Sequence, residues 1–134
     1  MADPKIVREW LAKADEDFGF AAASLRGGSE FYSQHCFHFQ QAAEKYLKAY
    51  ILGMELPFER VHDLVHLLKV CATQAPEFNE LKEECILLNT AYIETRYPVH
   101  WPTAYTQETA LEAQRAAERI TFAVRKGLGQ LLGY

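Results

Sequence analysis

Apolar residues recur at alternating spacings of four and three through most of the chain, and that period constrains the fold more than any other feature. Val7, Leu11, Ala14, Phe18, Ala21 and Leu25 mark one face of a first helix, the seam expected where helices pack at a shallow angle in a bundle. No run shows sustained period-two alternation, so no strand is expected. Gly and Pro concentrate at Gly27-Gly28, Gly53 to Pro57, Pro76, Pro98 to Pro102 and the Gly-rich end, and these points divide the period into segments. Asp3 followed by Pro4 suits an N-cap and first helical position, and Gly27-Gly28 suits a stop.

A second helix is expected from about Ser29 to Met54. Stepping its residues by the helical angle puts Cys36, Phe39, Ala43, Tyr46, Leu47 and Tyr50 on one arc, with Phe37, Gln41, Glu44, Lys45 and Lys48 on a polar, solvated arc. A shorter third helix follows Arg60-Val61-His62-Asp63 and turns Leu64, Leu67, Leu68 and Cys71 inward, with His62 or Asp63 at its positive end. The fourth is expected from Glu77 to Thr95 with Phe78, Leu81, Cys85, Leu88 and Tyr92 as its first stripe. Ile86, Leu87 and Ile93 lie off that stripe, which suits a helix that is central or shared with a second chain. Pro98 and Pro102 break the helical path. A last helix starts near Thr106, with Thr109-x-x-Glu112 as an alternative capping box, and its stripe is Ala113, Ala117, Ile120, Val124, Leu128 and Leu131. The expected architecture is all-α: one domain over residues 1–134, an antiparallel up-and-down bundle of four long helices plus one short helix.

Composition narrows the function classes. The 134 residues are 49% hydrophobic and 24% charged with a net charge of −4, which argues against a dedicated DNA-binding module. No apolar run approaches the ~20 residues of a membrane span, and Met1-Ala2-Asp3-Pro4-Lys5 lacks a signal-peptide layout. Cys36, Cys71 and Cys85 are an odd number without Cys-x-x-Cys spacing, which suits buried thiols in a reducing cytoplasm.

The densest candidate for chemistry is Arg96-Tyr97-Pro98-Val99-His100-Trp101-Pro102-Thr103-Ala104-Tyr105. Its guanidinium can grip a phosphate bidentately, its imidazole can move a proton, and its rings can stack on a base. The alternative is a connector whose aromatics cover the bundle end. Lys45 and Lys48 either meet phosphates or pair with neighbours such as Glu44. His35 and His38 are three apart and His62 and His66 four apart, but the only Glu-x-x-His is Glu59-x-x-His62. A stable metal site needs a fuller ligand set, so neither metal nor cofactor is expected. No phosphate-cradling Gly loop and no Gly-x-Ser-x-Gly elbow occurs.

Several segments together resemble a known family. Trp10-Leu11-x-Lys13-Ala14-x-x-Asp17-Phe18 resembles the first helix of HEPN-domain proteins, and Cys36-Phe37-His38-x-Gln40-Gln41-Ala42-Ala43-Glu44-Lys45-Tyr46-Leu47-Lys48-Ala49 is similar to their second. His62-Asp63-Leu64-x-x-Leu67-Leu68 and Tyr92-x-x-Thr95-Arg96-Tyr97-Pro98 follow in the family's order. The resemblance implies an up-and-down bundle that dimerises and, for small stand-alone prokaryotic members, pairs with a minimal nucleotidyltransferase, often as a toxin–antitoxin system. Many members are metal-independent RNases that use an Arg, four to six residues, then a His. Here three residues separate Arg96 from His100, and Pro102 stands where some members carry a Tyr. The Arg-Tyr-Pro form looks more like a nucleotide-binding or partner-subunit branch. The resulting expectation is a homodimeric binding module with a nucleotide or RNA phosphate cleft drawn from Arg96, Tyr97, Lys45 and Lys48, and with its fourth helix at or near the dimer interface. The alternatives are an endoribonuclease with Arg96 and His100 catalytic, and a scaffold without ligand.

Overall fold

The computed structural model describes residues 2–94 and 104–133. Among them the elements are α1 (Pro4–Arg26), α2 (Tyr32–Gly53), α3 (Leu64–Gln74), a 3-10 turn (Pro76–Leu81), α4 (Lys82–Glu94), α5 (Gln107–Gly127) and a short α6 (Gly129–Leu132). There is no strand among the described residues, and the all-α bundle expectation holds. None of these helices is long and apolar enough to cross a membrane.

Local chemistry sets most of the boundaries. The Asp3 carboxylate accepts from the Lys5 N–H at 2.9 Å, Pro4 opens α1, and Gly27 ends it. Asp63 caps α3 by accepting from the Val65 and His66 N–H groups at 2.9 and 3.4 Å. Thr106 and Thr109 form a reciprocal capping box for α5, so the alternative starting at Thr109 is not the one used.

Three boundaries differ from the period-based expectation. Residues Pro76–Leu81 form a 3-10 turn and α-geometry begins only at Lys82. Phe78 is buried there with its ring 4.6 Å from that of Tyr50. The second helix begins at Tyr32 rather than Ser29. At the other end α5 stops at Gly127, and the restart at Gly129 buries Leu132 and leaves Leu131 half-buried. Gly127 is needed at that point, because a Cβ there would lie 2.6 Å from the Tyr50 ring.

The core is organised around α2, which packs against α1, α3, α4 and α5. Phe39, Tyr46, Leu47, Tyr50 and Ile51 are among its largest fully buried side chains, each contributing about 1.5–3 kcal/mol by leaving water. Being surrounded leaves α2 little room for a solvated arc. Gln40, Glu44 and Lys48 are buried, which corrects the expectation that Glu44 and Lys48 face water.

Candidate functional site

The buried polar residues of α2 converge with α3 and α4 on one cluster. Lys48 Nζ donates to Glu44 Oε2 at 3.0 Å, with side chains only 7% and 9% exposed. Burying two charges is tolerable only when each has a partner. Glu44 uses its second oxygen on His62, whose Nδ1 lies 2.9 Å from Oε1. The His62 ring stacks on Tyr92 of α4 with centroids 4.7 Å apart and planes 19° apart. Gln40 Nε2 reaches the His62 carbonyl at 3.4 Å, and Gln41 Nε2 donates to Gln40 Oε1 at 2.7 Å. Lys48 Nζ also lies 5.8 Å from the Phe58 ring, which meets Trp10 edge-on at 5.6 Å. A carboxylate on Nδ1 fixes the imidazole's orientation and tautomer and leaves Nε2 for proton exchange or anion contact.

Beside this cluster α4 is pinned to α3. Asn89 Nδ2 donates to Asp63 Oδ1 at 2.8 Å, and Asn89 Oδ1 accepts from the Leu64 N–H at 2.8 Å. These bonds set how the C-terminal half of α4, with Tyr92, lies over His62.

Of the residues singled out in the sequence, Arg96, Tyr97 and His100 lie outside the described residues. Lys45 pairs with Asp17 of α1, and His38 Nδ1 stands 3.5 Å from the same carboxylate, an electrostatic contact rather than a formed hydrogen bond. Both lysines therefore have internal carboxylate partners, with Lys48 buried and Lys45 half-buried. The histidine pairs do not pool their nitrogens. His35 Nε2 sits 3.1 Å from Ser24 Oγ, while His66 Nε2 meets Glu59 Oε2 at 2.8 Å. Burial, and secondarily His38, push the His35 pKa down. Among the described residues no group of three or more ligand-type side chains could hold a metal. Burial pushes the three thiols up, Cys36 to about 11 and Cys71 and Cys85 to about 12, away from nucleophilic use.

Two other features look prominent but carry different roles. Tyr46 donates to Asp15 Oδ1 at 2.5 Å, and Arg125 donates to Asp15 Oδ2 at 2.6 Å while lying over the Tyr46 ring. That network ties α1, α2 and α5 together. Burial, then the bond to Asp15, push the Tyr46 phenol up to about 12, so it stays protonated. A groove of about 850 Å³ runs between the 3-10 turn and α5, lined by Phe78, Leu81, Arg119 and Phe122 among others. It excludes Glu44, His62 and Tyr92, and its Arg119 is paired with Glu84 at 3.2 Å.

Sequence reasoning singles out His62 and Glu44 separately, one as a cap or metal ligand and the other as a partner for lysines. It misses that they meet. Their separation of 18 positions along the chain carries no local signal for the contact.

Comparison with known proteins adds the family context. Residues 7–127 match the HEPN domain. Among solved structures, TT1696 from Thermus thermophilus is 33% identical with a TM-score of 0.76, the match covering 91% of this chain and 98% of that one. ST0689, described as an archaeal HEPN homologue, is 29% identical with a TM-score of 0.72, covering 90% of this chain and 95% of that one. No curated protein matches the sequence.

Proposed function

We propose, because this chain belongs to the HEPN domain family, that residues 1–134 act as one dimeric binding module whose α4 ends offer a cleft for the phosphate of a nucleotide or RNA. The observation that carries this reading is on α4. Ile86 and Leu87 are 50% and 42% exposed, whereas Cys85, Leu88 and Ala91 of the same helix are buried. Covering such side chains is worth about 1.5–3 kcal/mol each when complete, and an isologous two-fold contact is the commonest way to cover them. Packing the two α4 helices side by side in parallel about that axis would bring their C-terminal ends together.

In that cleft Arg96 neutralises the phosphate and Tyr97 offers a ring for stacking. Lys45 and Lys48 are balanced by Asp17 and Glu44, so they add no net charge to it. The partner fitting a small HEPN protein of this kind is a minimal nucleotidyltransferase, in a toxin–antitoxin arrangement within the cytoplasm. Three free, buried cysteines suit that reducing setting.

The test measures nucleotide and RNA binding, together with RNA decay, for wild type, Arg96→Ala and His100→Ala. Loss of binding in Arg96→Ala with no cleavage by any variant supports the binding module. Metal-independent cleavage abolished by both substitutions would replace it with an endoribonuclease. No binding by any folded variant would leave a scaffold.

A further inference from the structure

A phosphate cleft built on Arg96 and Tyr97 gives the His62–Glu44 pair no task, although this is the best-built acid–base arrangement among the described residues. We propose that His62 contacts a bound phosphate ester through Nε2, with Glu44 as its positioning residue. The inference rests on the reading that the end of α4 binds phosphate, and it adds a contact supplied by a different part of the chain.

The ring is held on one side and open on the other. Glu44 Oε1 holds Nδ1 at 2.9 Å, and among the described residues nothing hydrogen-bonds Nε2. The His62 side chain is 52% exposed, so a ligand can reach it, while its carboxylate partner is buried. Stacking on Tyr92 restricts ring rotation, and Gln40 reaches the His62 backbone carbonyl. Tyr92 lies two residues before Glu94, so the pair stands at the C-terminal end of α4.

Charge selects the ligand. Glu44 and Lys48 cancel, leaving the cluster neutral when His62 is neutral and carrying one positive charge when it is protonated. Of the other carboxylates nearby, Asp63 keeps its negative charge and turns it to Asn89 and the N–H groups that open α3, and Glu59 pairs with His66. An arriving phosphate therefore favours uptake of one proton at Nε2, and the new N–H donates to a phosphate oxygen while Nδ1–H donates to Glu44.

The experiment is titration calorimetry of wild type, His62→Gln and Arg96→Ala with inorganic phosphate and with a single-stranded oligoribonucleotide. Each titration runs in two buffers of different protonation enthalpy, and histidine-ring NMR follows the wild type through the phosphate titration. Wild type is expected to take up part of a proton, with the His62 ring signals moving. His62→Gln should bind about 10- to 100-fold more weakly, as for loss of a charge-assisted hydrogen bond, and take up no proton. Unchanged affinity and proton uptake in His62→Gln, with binding lost in Arg96→Ala, would overturn the His62 contact and leave the α4 cleft standing. Weak binding by His62→Gln with full binding by Arg96→Ala would support the His62 contact and overturn the Arg96 cleft. Unmoved ring signals and no wild-type binding of either probe would overturn both, whatever the variants do.

Discussion

Asn89 on α4 and Asp63 at the start of α3 are joined by a 2.8 Å hydrogen bond from Nδ2 to Oδ1. Asp63 is also the N-cap of α3, and Asn89 accepts from the Leu64 N–H, so one amide braces both the cap and the first helical N–H. Replacing Asn89 by Ala should cost about 1–3 kcal/mol of unfolding free energy, the range for losing bonds at a partly buried cap. The bond from Asn89, assisted by the Val65 and His66 N–H groups, pulls the Asp63 carboxyl below its usual value. A lowered folded-state value stabilises the fold above the unfolded carboxyl's range, and the gain disappears as pH falls through the folded value. The stability gap between wild type and Asn89→Ala in denaturant unfolding should therefore narrow in acid, to what the lost Leu64 bond costs, and widen toward neutrality. A gap that is constant with pH would show that Asp63 does not carry the linkage.

The three cysteines make a separate prediction. Burial raises all of them, to about 11 for Cys36 and about 12 for Cys71 and Cys85. A thiol-specific disulfide reagent at neutral pH should label the native protein far more slowly than the urea-unfolded chain, because reaction needs both exposure and thiolate. Rapid stoichiometric labelling of the folded protein would contradict this burial.

How much of the fold is legible in the sequence follows from the range of each interaction. Both ends of α1 are readable because Asp3, Pro4 and Gly27 act within a few residues of themselves, and Asp63 announces α3 in the same way. The polar arc of α2 misleads because periodicity reports one helix's faces, whereas Glu44 and Lys48 are covered by other elements packed around it. Over the six residues of Pro76–Leu81 the period does not separate a 3-10 turn from an α-helix. The glycine at 127 answers to Tyr50, a ring on a distant part of the chain that leaves no room for a Cβ. The site follows the same rule: the Glu44–Lys48 spacing is a local signal, and the Glu44–His62 contact is purely tertiary.

The exposed face of α4 should govern self-association. Ile86→Glu with Leu87→Glu places two carboxylates where the proposed two-fold contact lies, and both positions are open to water in the single chain. Sedimentation at micromolar concentration should show a wild-type dimer and a folded, monomeric double variant, since like charges facing across a two-fold axis oppose association. A monomeric wild type, or a variant that dimerises equally well, would move the interface elsewhere.

The buried pair on α2 should reveal itself through non-additive stability. Lys48→Met leaves Glu44 with His62 as a partner at 2.9 Å, and Glu44→Gln leaves Lys48 as an uncompensated buried cation. Removing one member of such a pair costs about 3–5 kcal/mol, whereas replacing both by well-packed neutral groups is often close to neutral. Glu44→Gln alone should therefore destabilise strongly, Lys48→Met less because His62 can still compensate the carboxylate, and the double substitution should recover much of the loss. Urea unfolding of the four proteins closes the cycle. Simple additivity would mean that the two side chains do not depend on each other for burial. Recovery in the double variant would identify the ammonium's demand for a counter-charge as the reason Glu44 is held inside the bundle, where it also meets His62.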